Sequence, residues 1–528
     1  MPASDRLIVE AKEVNDMSKQ ILIGWGRRSL NPGKAIAIPG QFHMRVSLGE
    51  LNPVTVNALA IANGDDAVIF VTADMVSFRY SIMDIVTAKL REIAPEVPGD
   101  KVIFSSTHTH AGPNAAEKPY PCEIDWMAKD EALEFISVRV AEAIAEAWKT
   151  KAPGQVAYGY GFATVGHSRR VIYLDDLSKR PEISSRPGIS VDGHGKMYGN
   201  TNDKMFSHYE AGTDSFINLL YTFDMAGKLT GALINVPCPA QTNEQAWVLH
   251  AGFWHPVREK IRAKYGDIGI VGQCGAGGDL SPRQLHYKAA ELRRYQLKYP
   301  EKYAYLCSHP LPYPNQAEAD KRRESDLLDM LRAEDIAERI AVAFDEVLEW
   351  AQRDKQSAPE LHHEVRKVKL ERRMFPENIY QAEKANYEKL AAEDWKHTGD
   401  KWADFKENSI LASARARCLR VKTTYENQAA NQEVEVTLHA AGIGGAAFVS
   451  NPFELFIDYM HRIQARSPFV QTFIVQLTAD KAGICSYLAT ERAIANKGYS
   501  ASPYCNVVSA AGGQQLVETT LEMLENIK

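Results

Sequence analysis

Short apolar runs alternate with amphipathic stretches over the first third of the chain. Residues 66–73 and 101–104 are mainly apolar and have the length of buried strands. Apolar residues recur at helical spacing near 81–93 and 130–148, which predicts amphipathic helices. This alternation favours an α/β fold, in which functional groups commonly follow the carboxyl ends of strands.

The strand pattern returns in later parts of the chain. Further strands are predicted at 216–223, 229–236, 269–272, 434–438 and 446–449. A closing helix is predicted over residues 512–525, where apolar side chains again follow helical spacing. We therefore expect a layered, mixed-sheet α/β body that contains both the first and the last parts of the chain.

The middle of the chain has a different character, because it is rich in Lys, Glu, Arg, Ala and Tyr. Helical periodicity is evident at 317–350, 377–395 and 402–417, and a strand-type segment at 361–370 interrupts it. This pattern predicts a helical elaboration of the α/β body.

The predicted domain organisation follows from this contrast. Residues 1–284 and 421–528 are expected to form the α/β catalytic body, and residues 285–420 to form a helical insertion or lid.

Composition and charge narrow the range of functions. The chain has 528 residues, 45% of them hydrophobic and 24% charged, which is ordinary for globular proteins. A net charge of −6 gives no sign of a nucleic-acid partner, so we expect a small-molecule or lipid-like substrate. No apolar run approaches the ~18 residues of a transmembrane helix. The sequence leaves the oligomeric state open and is compatible with a homo-oligomer.

The cellular compartment is predicted from the N-terminus and the cysteines. Charged residues within 1–13 interrupt the apolar core that a signal peptide needs, so a cytoplasmic location is expected. The seven cysteines are scattered and include no C-x-x-C pair, which favours reduced thiols over a disulfide framework.

Two histidines follow the predicted strand 101–104. If the extended conformation persists, His108 and His110 leave the same face and their rings share one small volume. Imidazoles placed in this way are suited to bind a metal or to transfer protons in a hydrolytic site. The alternative is that the rings only hydrogen-bond in a polar loop, and the spacing alone does not choose between the two.

Other candidate groups are weaker when taken singly. Ser281 follows a glycine-rich loop and is either a reactive hydroxyl or the N-cap of a helix, and the spacing favours the cap. Glu454 is either a metal ligand or an acid in the first turn of an apolar helix. Tyr487 and Tyr499 are typical of amphipathic packing. Arg169 belongs to a small basic cluster that could bind an oxygen atom or lie on a solvated surface.

Taken together and in order, these segments resemble the neutral (non-lysosomal) ceramidase family. Thr107-His-Thr-His-Ala-Gly-Pro113 resembles that family's Thr-His-Thr-His-Ser-Gly-Pro. Gly278-Asp-Leu-Ser-Pro282 is similar to its Gly-Asp-Val-Ser-Pro, and Asn451-Pro-Phe-Glu454 is similar to its Pro-Gly-Glu. The two late tyrosines have the spacing of the family's pair. The resemblance covers most of 20–280 and 430–528.

The family consists of zinc amidases that cleave the N-acyl bond of ceramide. By position, the resemblance implies a zinc site and a group of residues that position the substrate or stabilise an oxyanion. The implied zinc ligands are His108, Glu454 and Tyr487, and the implied substrate-positioning residues are His110, Arg169, Ser281 and Tyr499. Arg170 matches as well as Arg169 does.

The chain departs from the family at one zinc ligand. The family has a second zinc histidine after a strand, but the matching segment 234–241 contains no histidine. Cys238 lies nearest to the gap and a thiolate is a competent zinc ligand, whereas His250 and His255 are alternatives. A site without metal is a further alternative. The immunoglobulin-like domain found at the C-terminus of longer ceramidases is expected to be absent.

Three functional hypotheses follow from the sequence. The first is a zinc-dependent amidase that cleaves a ceramide-like N-acyl amide bond. The second is a divergent, metal-free hydrolase of the same fold that acts on a polar or carbohydrate substrate. The third is a non-enzymatic binding or assembly protein, against which the retention of His108, His110, Ser281 and both tyrosines argues.

Overall fold

The computed structural model describes residues 20–64, 66–181, 192–480 and 486–528. The strands are β1 (Leu22–Ser29), β2 (Ala37–Ile38), β3 (Arg45–Val46), β4 (Thr55–Ala62), β5 (Ala67–Ala73), β6 (Val102–Ser106), β7 (Ala152–Phe162), β8 (His167–Ser168), β9 (Arg170–Tyr173), β10 (Gly195–Met197), β11 (Phe206–Tyr209), β12 (Phe216–Asp224), β13 (Leu229–Val236), β14 (Gly269–Cys274), β15 (Leu280–Ser281), β16 (Leu361–Glu371), β17 (Glu433–Ile443), β18 (Ala446–Ser450), β19 (Glu454–Leu455), β20 (Gln471–Val475) and β21 (Tyr487–Leu488).

The helices are α1 (Tyr80–Ile93), α2 (Lys129–Lys149), α3 (Trp254–Tyr265), α4 (Lys288–Lys298), α5 (Pro300–Ser308), α6 (Gln316–Ala351), α7 (Glu377–Ala391), α8 (Lys401–Gln428), α9 (Ile457–Gln464), α10 (Glu491–Asn496) and α11 (Ala510–Asn526). The segment 1–13, from which the compartment was predicted, lies outside the described residues. Within the described part of the chain, none of these helices is both long and apolar enough to span a membrane.

Two mixed β-sheets stack face to face at the centre of the molecule. The larger sheet has the strand order β14-β13-β12-β7-β1-β4-β5-β6, and the smaller has the order β16-β17-β18-β20. Phe70 of β5 packs against Phe448 of β18 with ring centroids 4.6 Å apart, and Phe448 in turn stacks on Phe473 of β20. The inner faces of both sheets contribute to this one apolar layer, which stabilises the stacking.

Helices cover the outer face of each sheet. Helices α1 and α2 pack on one half of the larger sheet, and α3 and α6 pack on the other half. Helices α9 and α11 cover the smaller sheet. The result is four layers in the order helix, sheet, sheet, helix. This arrangement confirms the predicted layered α/β body with mixed sheets.

The segment 285–420 is joined closely to this body. Its long helix α6 packs on β7 and β12 of the larger sheet. Its strand β16 pairs antiparallel with β17 from Leu361↔Ile443 to Glu371↔Glu433, so the segment supplies an edge strand of the smaller sheet. The division of the chain into a body and an inserted lid stays a prediction.

Two glycines allow helix α2 to lie unusually close to strand β1. A Cβ atom on Gly24 would stand 1.9 Å from the carbonyl oxygen of Ala147, and one on Gly26 would stand 2.0 Å from that of Ala143. Both partners are backbone atoms of a well-packed helix, so they cannot rotate away as a side chain would. The short spacing between β1 and α2 therefore requires residues without a side chain at these two positions.

We expect Gly24→Ala and Gly26→Ala each to lower the free energy of unfolding by about 1–3 kcal/mol or more, because α2 must shift away from the sheet. Gly99→Ala is the matched control, since nothing lies within 4 Å of its added methyl group. Urea unfolding followed by circular dichroism measures all three variants. Equal stabilities for Gly24→Ala and Gly99→Ala would show that the close approach does not limit packing.

Candidate active site

The histidine pair lies just beyond the end of β6, and the backbone there is not extended. Strand β6 ends at Ser106, and His108 has φ 60°, which is the left-handed region. The expectation that both rings leave one face of an extended segment is therefore wrong. The turn at His108 nevertheless brings the rings together, with the Nε2 atoms of His108 and His110 3.3 Å apart. A non-glycine residue in this region is uncommon and is found often at functional sites.

Hydrogen bonds fix the orientation of His108. Its Nδ1 atom lies 2.7 Å from the carbonyl oxygen of Val76, which can only accept, so Nδ1 carries a proton. The Nε2 atom then points to Glu454, whose Oε2 atom is 3.5 Å away. His108 therefore presents Nε2 to the centre of the site with a carboxylate beside it.

His110 is held from both sides by residues after strand β13. The side-chain amide of Gln241 donates to its Nε2 atom at 2.6 Å, and Glu244 lies 3.4 Å from its Nδ1 atom. Burial lowers the pKa of His110 to about 4, so the ring is neutral near pH 7. Burial would raise the pKa of Glu244, but Arg283 outweighs it and lowers that pKa to about 2.

Glu454 lies in a short strand and not in the first turn of a helix. It belongs to β19, which pairs in parallel with β21 so that Glu454 stands opposite Tyr487. Helix α9 begins only at Ile457, and the backbone N–H of Glu454 donates to the carbonyl oxygen of Ser486. Burial alone would raise the pKa of Glu454, but His108 and Arg169 outweigh it and lower the pKa to about 2.

The guanidinium of Arg169 lies at the centre of the cluster. Its Nη2 atom is 3.4 Å from Oε2 of Glu454, 3.3 Å from the hydroxyl of Tyr487 and 2.9 Å from the carbonyl oxygen of Gly278. Its Nη1 atom donates to Oε1 of Gln241 at 2.8 Å. Burial opposes the charge of Arg169, but the neighbouring oxygen atoms outweigh it and raise its pKa well above the usual value.

The neighbouring arginine is directed elsewhere. Arg170 forms a buried ion pair with Glu210 and donates to the hydroxyl of Ser500 at 3.0 Å. Of the two arginines that match the family equally well in sequence, the structure therefore places Arg169 at the histidine pair.

The glycine-rich loop supports this arginine. Ser281 lies in β15, which pairs with β8, and helix α4 begins only at Lys288, so the interpretation of Ser281 as a helix cap is wrong. Its hydroxyl accepts from the backbone N–H of Arg283, and the residue is 1% exposed. The structure records no contact of this hydroxyl with either histidine among the described residues. Gly278 instead touches the backbone of Glu454, so the loop approaches the protein's own carboxylate.

Two tyrosines complete one wall. The rings of Tyr487 and Tyr499 lie edge to face with centroids 5.9 Å apart. Burial raises the pKa of Tyr487 well above its usual value and that of Tyr499 to about 12, so both hydroxyl groups keep their protons. The hydroxyl of Tyr499 accepts from Arg417, which belongs to helix α8. The segment 285–420 thus contributes to the surroundings of the site.

None of the candidates for the missing zinc ligand is recorded in contact with His108 or Glu454 among the described residues. Cys238 is fully buried in the core beside α3, its thiol donates to Pro239, and burial raises its pKa well above the usual value. Both ring nitrogens of His250 are engaged by backbone groups, at 3.2 Å from Asn243 and 3.1 Å from Gly252. His255 lies on α3, and no contact between it and His108 is recorded in the described part of the chain.

The zinc site that the resemblance implies stays a prediction, and the surroundings of its ligands differ from an ordinary zinc site. Within 20–64, 66–181, 192–480 and 486–528, no group of at least three His, Cys, Asp or Glu side chains is arranged to hold a metal. The oxygen atoms of Glu454 and Tyr487, which the resemblance assigns to zinc, are hydrogen-bonded to Arg169. A second cation at these oxygen atoms would be repelled by the guanidinium, which carries a fixed charge.

A cleft of about 630 Å³ opens onto the site. Glu454, Tyr487 and Tyr499 lie at one end, and the loop 37–44 forms one side. Helix α8 forms the opposite side, where the lining residues are Ser409, Ala412, Ser413, Ala416, Arg417 and Arg420. A volume of this size is typical of small-molecule sites in enzymes.

Comparison with known proteins rests on structure alone, because no protein-family model and no curated protein sequence matches this chain. The crystal structure of neutral ceramidase from Pseudomonas aeruginosa superimposes with a TM-score of 0.61 at 15% identity, over 96% of this chain and 75% of that one. A structure described as ceramidase complexed with C2 gives a TM-score of 0.59 at 15% identity, over 96% and 76%. This chain has the neutral-ceramidase fold. The similarity extends beyond the 20–280 and 430–528 that carry the motifs.

Some residues of the site were not found by sequence reasoning. Gln241 and Glu244 hold His110, and Gln241 also binds Arg169. Gln241 is the last residue of the segment 234–241, which lacks the expected histidine. Its polar side chain was the one feature of the sequence that could have indicated a role in the site. A search for metal ligands passed over it because an amide is not a zinc ligand that structures commonly use. Arg417 gave no signal, since it lies in an ordinary helical pattern.

We expect Gly278→Ala to disrupt the candidate site, because its Cβ would stand 2.3 Å from the carbonyl oxygen of Glu454. Displacement of β19 also moves the carboxylate of Glu454, which accepts from Arg169. The melting temperature should therefore fall by several degrees, as for a loss of about 1–3 kcal/mol in the free energy of unfolding. Gly212→Ala is the control, since its methyl group meets nothing within 4 Å. Identical melting of the two variants would contradict this account of the loop.

Proposed function

We propose that this protein is a hydrolase that cleaves an N-acyl amide bond and that it does so without a metal ion. The observation that carries the proposal is the buried guanidinium of Arg169 between Glu454, Tyr487 and Gln241. It supplies, as a fixed part of the chain, the positive charge that a metal would otherwise supply. The two ceramidase structures that share the fold support an amide as the bond that is cleaved.

The tyrosine hydroxyls and the arginine are suited to stabilise the charge that develops on the carbonyl oxygen. Tyr487 and Tyr499 stay protonated and can donate, and Arg169 holds Tyr487 in place through its hydroxyl oxygen. Donors that are fixed before the reaction need no reorganisation when the negative charge forms. Each such donor is typically worth about 3 kcal/mol of transition-state stabilisation.

His108 is suited to activate the attacking water. Its Nδ1 proton is committed to Val76, so Nε2 can accept the proton of a water molecule. Glu454, at 3.5 Å, then stabilises the imidazolium. The oxygen of the water bonds to the acyl carbon, the C–N bond breaks, and the proton at Nε2 is transferred to the leaving amine. The products are a carboxylic acid and an amine, so the step is balanced without any oxidant or reductant.

We expect dialysis against a strong chelator to leave amide hydrolysis unchanged, because Arg169 takes the place of the metal. The substrates to be tested are N-acyl amides, from neutral ceramide-like lipids to polar N-acyl compounds, with release of the free amine as the assay. Elemental analysis of the purified protein should find far less than one zinc per chain. Stoichiometric zinc, with activity that is lost on chelation and restored by zinc, would instead establish the zinc-dependent amidase.

We expect His108→Ala to lower the rate of hydrolysis by about 10²–10⁴-fold, which is the usual contribution of a general base. Added imidazole should restore part of the lost rate, since it can occupy the space of the missing ring. His208→Gln is the control, because His208 is exposed on strand β11. A wild-type protein that binds these amides but turns none of them over would favour the non-enzymatic hypothesis.

A further inference from the structure

Helix α8 presents unpaired positive charge to the cleft. Arg417 and Arg420, one turn apart on this helix, line it together with Arg79, which follows β5. Within the described residues, no Asp or Glu forms an ion pair with any of these three arginines. Glu454 is buried against the guanidinium of Arg169, so its charge is already compensated. Burial lowers the pKa of His43, a further lining residue, to about 3, so it is neutral.

Arg417 has the features of a residue that awaits a ligand. Its guanidinium is held between the rings of Phe42, Tyr499 and Tyr504, at 4.8, 4.9 and 5.5 Å from their centroids. Its Nη1 atom donates to Tyr499 at 3.4 Å. Its Nε and Nη2 atoms are buried and have no hydrogen-bond partner among the described residues. Buried donors of a charged group are costly to leave unpaired, so such atoms indicate a missing acceptor.

The position of Arg417 indicates how far its missing acceptor lies from the bond that is proposed to be cleaved. The ring of Tyr499 packs against Tyr487, which touches Arg169, and its hydroxyl touches Arg417. One tyrosine therefore separates the proposed catalytic centre from the unpaired guanidinium. An anionic group that binds Arg417 must lie within a few bonds of the scissile amide.

We propose that the substrate is an N-acyl amino acid, or an amide of the same kind, whose carboxylate binds Arg417 and is steered by Arg420 and Arg79. The planar fork of an arginine matches a carboxylate through two parallel hydrogen bonds. Arg420 and Arg79 add positive potential that raises the local concentration of an anion. The proposal rests on the proposed amide hydrolysis for the identity of the reacting bond, but the anion site itself does not.

Binding of a stable analogue tests the anion site without turnover. The probe is the keto acid in which a methylene group replaces the amide N–H of an N-acylglycine, and its uncharged carboxamide is the comparison. Calorimetry on the wild-type protein should show that the acid binds at least about tenfold more tightly than the carboxamide. Arg417→Gln should remove this preference, Arg417→Lys should keep part of it, and Arg420→Gln should reduce it. Lys422→Gln, on the same helix and paired with Glu426, should leave it unchanged.

Turnover assays then separate the two proposals. If the acid binds through Arg417 but no N-acyl amino acid is hydrolysed, the anion site stands and the proposed function fails. The anion site is overturned if a neutral amide is hydrolysed at the same rate as the matching N-acyl amino acid and Arg417→Gln lowers both rates equally. A third binding measurement uses the phosphonate analogue of the probe. If it binds more tightly than the carboxylate, the recognised group is a phosphate and not a carboxylate.

Discussion

The structure of this site depends on one buried positive charge. Arg169 is 1% exposed, so its guanidinium has lost its hydration and must be compensated inside the protein. The compensating groups come from distant parts of the chain: Gln241 after β13, Gly278 in the glycine-rich loop, Glu454 in β19 and Tyr487 in β21. Removal of any one partner would leave a buried charge incompletely paired, which links the geometry of all four segments.

This charge also sets what the site can do. A guanidinium cannot exchange ligands or bind a hydroxide as a metal does, but it holds a permanent charge and a fixed geometry. In the proposed reaction the proton is accepted by His108, whose Nδ1 atom is fixed by Val76 and whose Nε2 atom faces the carboxylate of Glu454. In that proposal Arg169 supplies the positive charge and His108 accepts the proton, two functions that a metal-bound water combines.

The four-layer body and the segment 285–420 have different roles around this centre. Strand β6 of the larger sheet leads to His108, which lies beside Glu454 of the small sheet formed by β19 and β21, and the close contact at Gly278 keeps the loop against Glu454. Helix α8 closes the cleft from the other side and contributes Arg417, whose burial is completed by three aromatic rings. The proposed catalytic groups therefore come from strands and the turns that follow them, whereas the unpaired charge of the cleft comes from the helical segment.

The sequence by itself determined the elements and the ordered motifs. Hydrophobic periodicity is a local property, so the strand at 67–73, the helix at 129–149 and the long helix at 316–351 follow closely from it. The tertiary structure decided the partners. The left-handed turn at His108, the strand pairing of Ser281 and Glu454, and the choice of Arg169 over Arg170 all depend on contacts between residues far apart in the chain. No local pattern encodes which buried charge meets which carboxylate, and the proposal of a metal-free site rests on that pairing.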